Sequence, residues 1–282
     1  MRQILHISDV HFGPFFVPRA AAAVRALVAE RQPQLVILSG DLTQRAKTQQ
    51  FLDARAFVDA IPVPTLCVPG NHDVPMYRVW ERVFAPYGAY RRYFAAEMEP
   101  VFEDDELLVV GVNTAFNWTV KDGRFTRAAL KRLADLFEKA PAEKTRLVVA
   151  HHHLVPPPRF ATQRVSSGAL EALRLFAHYR VELVFSGHLH QTWIGNSEEY
   201  YPGGGAPVRL LHSGTTCSSR GRGCERRRQT CNYVTLSPQQ LQIDHLRFEE
   251  EPGRFLTVSR HLFPRLSAGS FFPAPPFEPA LS

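Results

Sequence analysis

The sequence predicts an α/β fold, a four-layer αββα sandwich of two facing mixed sheets flanked by helices, and three observations predict it. Short apolar runs ending in polar or glycine-bearing residues alternate with stretches of helical spacing. That alternation occurs twice, once in each half of the chain, and extended segments follow it. Buried strands separated by helices imply parallel pairing through right-handed crossovers. At 282 residues and 45% hydrophobic content, the chain can build one large domain with a sizeable core.

In order, Ile4–Ser8, Leu35–Ser39 and Thr65–Val68 read as strands. Between them, Arg19–Arg31 and Thr48–Ala60 read as helices, because Val24, Leu27 and Val28, then Phe51, Leu52, Phe57 and Val58, recur at helical spacing. The second half repeats the theme with a strand at Leu107–Val112, a helix at Arg127–Lys139 and a strand at Arg146–Ala150. A helix at Gly168–His178 and a strand at Glu182–Ser186 follow. Val208–His212, Asn232–Leu236 and Leu241–Phe248 read as antiparallel strands closing the second sheet, with Ser237-Pro238 as a turn. Residues 1–263 form a single domain in this reading. Residues 264–282 form a Pro- and Phe-rich tail whose Phe271, Phe272 and Phe277 pack on their own domain or on a neighbouring subunit, which leaves a homodimer open.

The formal charge of +6 favours anionic partners without singling out nucleic acid. Much of the excess lies between Thr216 and Gln229, where Arg220, Arg222, Arg226, Arg227 and Arg228 crowd together. A solvated loop is the plain reading of such a run, and a phosphate-binding loop is the alternative. No stretch reaches membrane-spanning length, and the first residues run straight into a strand, so the expectation is a cytoplasmic protein with no membrane partner. Cys67, Cys217, Cys224 and Cys231 contain no CxxC pair and read as free thiols.

The strand ends carry the chemistry. The first delivers Asp9 and His11, the second Gly40-Asp41, and the third Gly70-Asn71-His72-Asp73. The Arg146–Ala150 strand delivers His151-His152-His153, and Glu182–Ser186 delivers Gly187-His188-Leu189-His190. Loops at the carboxyl ends of parallel strands converge on one crevice, so these residues belong to one site. Residues two apart in an extended segment face the same way, so Asp9 with His11, and His188 with His190, can share an ion. Asp9, His11, Asp41, Asn71, His151, His188 and His190 are too many ligands for one tetrahedral zinc. Around two divalent ions, with one bridging carboxylate, they fit the arrangement that clamps a phosphate displacement. Mixed carboxylate, amide and imidazole donors suit Mn, Fe or Zn.

These five ordered blocks, spanning residues 9 to 190, resemble the calcineurin-like metallophosphoesterase superfamily, and within it most the bacterial cyclic-nucleotide phosphodiesterase group. The resemblance implies Asp9, His11 and His190 on one metal, Asn71, His151 and His188 on the other, and Asp41 between them. It also implies water activated between the ions as nucleophile, His72 on the phosphate and donating a proton to the leaving oxygen, and Asp73 orienting His72 from behind. The expected substrate is a small phosphodiester such as a 3′,5′-cyclic nucleotide, with His153, Arg220 and Arg222 as further substrate contacts. A nuclease or phosphomonoesterase of the same superfamily is the enzymatic alternative, and a metal-binding interaction module that no longer catalyses is the non-enzymatic one. His178, His245 and His261 read as ordinary surface or core histidines and His6 as core or as an outer partner of the metal site. His212 and Asn113 stand between strand-end packing and an outer-shell role.

Overall fold

A computed structural model describes residues 1–156, 164–202 and 206–265. Strands β1 (Arg2–Ile7), β2 (Leu35–Leu38) and β3 (Thr65–Cys67) are parallel, and helices α1 (Pro18–Arg31) and α2 (Thr48–Asp59) connect them. Helices α3 (Val79–Phe84) and α4 (Gly88–Tyr93) lead to β4 (Val101–Glu103), β5 (Leu107–Val112), α5 (Arg127–Lys139), β6 (Thr145–Ala150), α6 (Ala169–His178) and β7 (Leu183–Ser186). Strands β8 (Trp193–Asn196), β9 (Arg209–His212), β10 (Thr230–Leu236), β11 (Gln240–Glu249) and β12 (Arg254–Pro264) complete the order. One sheet runs β12-β11-β10-β1-β2-β3 and the other β4-β5-β6-β7-β9-β8.

Each central strand is apolar on both faces, and this makes four layers. Ile4, Ile37, Val109, Val149 and Phe185 belong to a core between the sheets. Their neighbours one residue along, such as Leu5, Leu38, Val110 and Val148, belong to the outer cores shared with the helices. A period of two thus sends alternate side chains to opposite layers, as both-sided burial of a parallel sheet requires.

The late strands differ from the expectation of antiparallel closure of the second sheet. β9 pairs parallel with β7, while β10 pairs antiparallel with β1, so β10 to β12 extend the first sheet. Alternation gives a strand's faces but not its neighbour. β4, β8, α3 and α4 are too short to carry a periodic signal, and the eleven-residue β12 has no counterpart among the strands expected from the sequence. Pro264, expected to start the tail, instead ends β12, and its carbonyl accepts from Arg209 at 2.8 Å. The remainder of that tail lies outside the described residues.

Candidate metal centre

The loops after β1, β2 and β3 are laced together by backbone bonds. Asp9 N–H donates to the Gly40 carbonyl at 3.0 Å, His11 N–H to Asp41 at 3.0 Å, and Phe12 N–H to Leu42 at 2.8 Å. The ladder between β1 and β2 thereby continues past the strands and sets Asp9 and His11 beside Asp41. These residues are not extended, as the sequence reading assumed. Asp9, His11, Asp41, His188 and His190 all have φ between 46° and 70°. Each sits in the left-handed region, which costs on the order of 1–3 kcal/mol for a non-glycine residue and persists only where surrounding contacts impose it. Two glycines supply the close approach. A Cβ on Gly70 would lie 2.2 Å from Asp41 Oδ1, and one on Gly187 2.4 Å from Asp9 Oδ2.

The side chains gather into two sets that meet at Asp41. In the first, Asp9, His11, Asp41 and His190 are buried, with ligand atoms all within 4.8 Å of one another. His11 Nε2 lies 3.1 Å from His190 Nε2, and His190 Nε2 lies 3.1 Å from Asp9 Oδ1. His190 Nδ1–H donates to the Arg220 carbonyl at 3.0 Å, which leaves Nε2 as a lone pair facing the cluster. In the second set, Asn71 Oδ1 lies 3.2 Å from His151 Nε2 and 3.0 Å from His188 Nδ1. His151 Nδ1–H donates to the Ser39 carbonyl at 2.8 Å, across the gap between the sheets.

Asp41 faces both sets. Its Oδ1 accepts from the His72 backbone N–H at 2.8 Å and lies 3.4 Å from His151 Nε2; its Oδ2 lies 3.7 Å from His11 Nε2. Asp9 Oδ2 is engaged by the Ser8 hydroxyl at 2.7 Å and the His188 N–H at 3.0 Å. By contrast, Asp9 Oδ1 and Asp41 Oδ2 are buried with no hydrogen-bond partner among the described residues. Such orphaned carboxylate oxygens, opposite imidazole lone pairs, are what a cation would satisfy.

The electrostatics agree. Burial alone would raise the Asp9 and Asp41 carboxyls. The imidazoles around them, His190 for Asp9 and His151 for Asp41, outweigh it and hold both well below the usual carboxylate range. Burial pushes His11 down to about 4. Burial also works against a proton on His151, yet the Asp41 charge raises it to about 9. The cluster is short of positive charge, and a divalent ion is the usual supply for such a donor set.

The remaining expected residues fall into place unevenly. His72 is half-buried at the edge of the cluster; its Nδ1–H donates to the Gln44 carbonyl at 2.9 Å. Arg220 reaches in from the arginine-rich loop, with Nη1 3.3 Å from His72 Nε2 and 3.1 Å from Gln44 Oε1. Arg222 is exposed, and its backbone N–H donates to the His190 carbonyl at 3.0 Å. Asp73, expected to orient His72 from behind, does not do so. Its carboxylate is taken up by the N–H groups of Leu42, Thr43 and Gly70 at 3.1, 2.8 and 2.9 Å, and it ties the loops after β2 and β3 together. The Gln44 carbonyl orients the ring instead.

Nor does His153 line a mouth. It is buried, stacked on His188 at 5.8 Å between ring centroids, with His212 at 6.4 Å. His152 bonds the Thr114 hydroxyl through Nδ1 at 2.8 Å, and it groups with His151 and His188 as a further candidate ligand. Asn113 turns away, its Oδ1 accepting from Ala115 N–H at 3.0 Å. Gln44 and Glu225 were missed. Gln44 stands three residues beyond Asp41, and Glu225 is the one acid in the arginine run, a signal that was legible.

A family model described as calcineurin-like phosphoesterase matches residues 2–192. A Synechococcus protein named as a probable cyclic nucleotide phosphodiesterase is 29% identical over 209 residues, covering 68% of this chain and 74% of its own length. An Arcobacter nitrofigilis protein named as a probable glycerophosphodiester phosphodiesterase is 24% identical over 167 residues, 57% of this chain and 58% of its own. A purple acid phosphatase from yellow lupin (Lupinus luteus) seeds superposes with a TM-score of 0.68 at 11% identity, over 93% of this chain. This chain spans about half the length of that phosphatase, 53%, and the likeness is one of fold.

Proposed function

The chain belongs to the calcineurin-like phosphoesterase family and is a phosphoric ester hydrolase; from that premise we propose that it is a binuclear phosphodiesterase acting on cyclic nucleotides or similar small diesters. One observation carries the binuclear part: the two oxygens of Asp41 face different ligand sets, and the one toward the first set is buried and orphaned. In this reading Asp9, His11 and His190 hold one ion, Asn71, His151 and His188 the other, and Asp41 is shared. The donors suit Mn, Fe or Zn. Bound there, such a pair supplies Lewis acidity and water made acidic enough to attack near neutral pH.

The chain's own groups do the rest. Bonds from His151 and His190 Nδ1–H to backbone carbonyls fix the tautomer that presents Nε2 inward. Arg220 offers a guanidinium to the phosphate oxygens, a pairing that favours bidentate contact. His72, held by the Gln44 carbonyl, contacts the phosphate and donates a proton to the leaving oxygen. His72→Ala is expected to retain metal while turning over slowly.

The relatives support the diester class, since the two compared above both carry phosphodiesterase names. No helix among the described residues is long and apolar enough to cross a membrane. A cytoplasmic location goes with this reading, in keeping with four free cysteines. The test is a panel of cyclic nucleotides, linear diesters, monoesters and short DNA on metal-loaded protein. Preference for the cyclic or small linear diesters supports the proposal. A preference for DNA whose affinity falls steeply with salt points to the nuclease alternative. Absence of nitrophenolate release from bis(p-nitrophenyl) phosphate with Mn²⁺ overturns the catalytic reading.

A further inference from the structure

We propose that Glu225 is a positioning residue that locks His190 and Arg220 into one unit, so that the metal-facing imidazole and the phosphate-facing guanidinium keep a fixed relation. The proposal rests on the roles given to those two residues above.

Glu225 stands amid Arg220, Arg222, Arg226, Arg227 and Arg228, where charge pairing is the first thing to expect. Its carboxylate is spent otherwise. Oε1 accepts from the Thr192 backbone N–H at 2.9 Å, and Oε2 accepts from the Thr230 hydroxyl at 2.8 Å. The Thr192 hydroxyl donates to Thr230 Oγ1 at 3.1 Å and closes the triangle. One side chain therefore ties the loop that carries His190, two residues before Thr192, to the first residue of β10.

The backbone is shaped to admit it. A Cβ on Gly214 would lie 2.2 Å from Glu225 Oε2, and one on Gly221 would lie 2.0 Å from the Glu225 carbonyl oxygen. Any side chain at either position would collide with the clamp. Glu225 N–H donates to the Arg222 carbonyl and Arg228 N–H to the Glu225 carbonyl, each at 2.9 Å, so the residue also organises its own loop.

The same loop grips His190 from its other end. His190 Nδ1–H donates to the Arg220 carbonyl, and Arg222 N–H donates to the His190 carbonyl, both at 3.0 Å. A movement of the loop that shifts the Arg220 guanidinium must therefore shift the acceptor that fixes the His190 ring. Two hydrogen bonds hold that joint at His190, and Glu225 holds it at Thr192. Mutually repelling arginines would spread such a loop without an internal tie.

The experiment compares Glu225→Ala, Glu225→Gln, Arg220→Ala and the Glu225→Ala/Arg220→Ala double variant in the full-length protein. Loss of an outer partner that orients a ligand costs about 10–100-fold in activity or metal affinity, and this is expected for Glu225→Ala. Glu225→Gln keeps an acceptor for the Thr192 amide and is expected to recover most of the loss. In the Arg220→Ala background, which loses the guanidinium but keeps the carbonyl that holds His190, Glu225→Ala should cost less turnover than alone while still lowering Mn²⁺ affinity. Two readouts do not depend on turnover. Amide exchange at 190–193 should quicken in Glu225→Ala while the β-strands stay protected, and Mn²⁺ affinity by calorimetry should fall. Additive losses, or unchanged exchange at Thr192, overturn the proposal. Should Glu225→Ala fail to fold, Thr230→Val removes two sides of the triangle, leaving the Thr192 N–H bond to Glu225, and must quicken the same exchange. An Arg220→Ala variant with unchanged KM sinks the phosphate role of Arg220 instead, and the exchange data still judge the clamp.

Discussion

The two candidate sets meet at Asp41 yet are built for different charge. In the first, two carboxylates confront two imidazoles whose Nε2 atoms lie 3.1 Å apart, and both orphaned carboxylate oxygens are there. In the second, a neutral amide, Asn71, stands between His151 and His188 within hydrogen-bond distance of both. The second set can satisfy itself with protons, as the rise of His151 to about 9 indicates. The first opposes two carboxylates, each with one buried oxygen that lacks a hydrogen-bond partner among the described residues, so a divalent ion gains more there. The first set should therefore bind its ion more tightly.

Asp41 offers the largest expected effect because its two oxygens face the two sets. Asp41→Asn should lower turnover of a diester by more than about a hundredfold, beyond what outer partners cost, and calorimetry should show both binding steps weakened. If one step survives intact, Asp41 is not shared.

Separate substitutions then resolve the sets. Asp9→Asn should abolish the tight binding step and leave the weak one, while Asn71→Ala should do the reverse with a smaller loss of affinity. Equal weakening of both steps by either variant breaks the comparison. Chelation and reloading give a third measure. The melting temperature of chelated protein should rise with Mn²⁺ in two ranges of concentration, since saturating a site a hundredfold above its Kd adds about 2.7 kcal/mol. A single smooth rise would mean sets of equal affinity.

A last test concerns acid. His6 lies behind the second set; its Nε2 pairs with the Ser39 hydroxyl at 2.9 Å and its Nδ1 accepts from Asn232 at 3.2 Å. Burial, with the nearby His212, lowers it from 6.5 to about 3. Between those pH values the unfolded chain takes up a proton that the native chain refuses. The resulting stability is present above pH 6.5 and is lost as pH falls, by up to ~1.4 kcal/mol per pH unit. Urea melts of chelated protein from pH 7 to 4 should show this slope, reduced in His6→Gln. An unchanged slope would assign the acid sensitivity to other histidines.

The legibility of the molecule followed the range of its forces. β5 and α5 were read to the residue because apolar periodicity is local and strong. β10 was read as a strand but assigned to the wrong sheet, since its partner β1 lies some two hundred residues away in the chain. Likewise Asp9 and His11 were named from an extended geometry they do not have. The chemistry survived the error because left-handed turns, imposed by the bonds to Gly40 and Asp41, still turn both side chains inward.

By itself the sequence determined the layers, the strand ends and which polar residues stand at them, because burial pattern and residue chemistry are written position by position. Only the tertiary structure decided which nitrogen of each histidine faces the cluster, that Asp73 braces loops instead of His72, and that His153 is walled in behind His188. It alone brought Arg220 to His72 and Glu225 to Thr192. Those outcomes depend on which backbone carbonyls and amides lie within 3 Å, and such meetings arise only when distant loops converge on one end of two packed sheets.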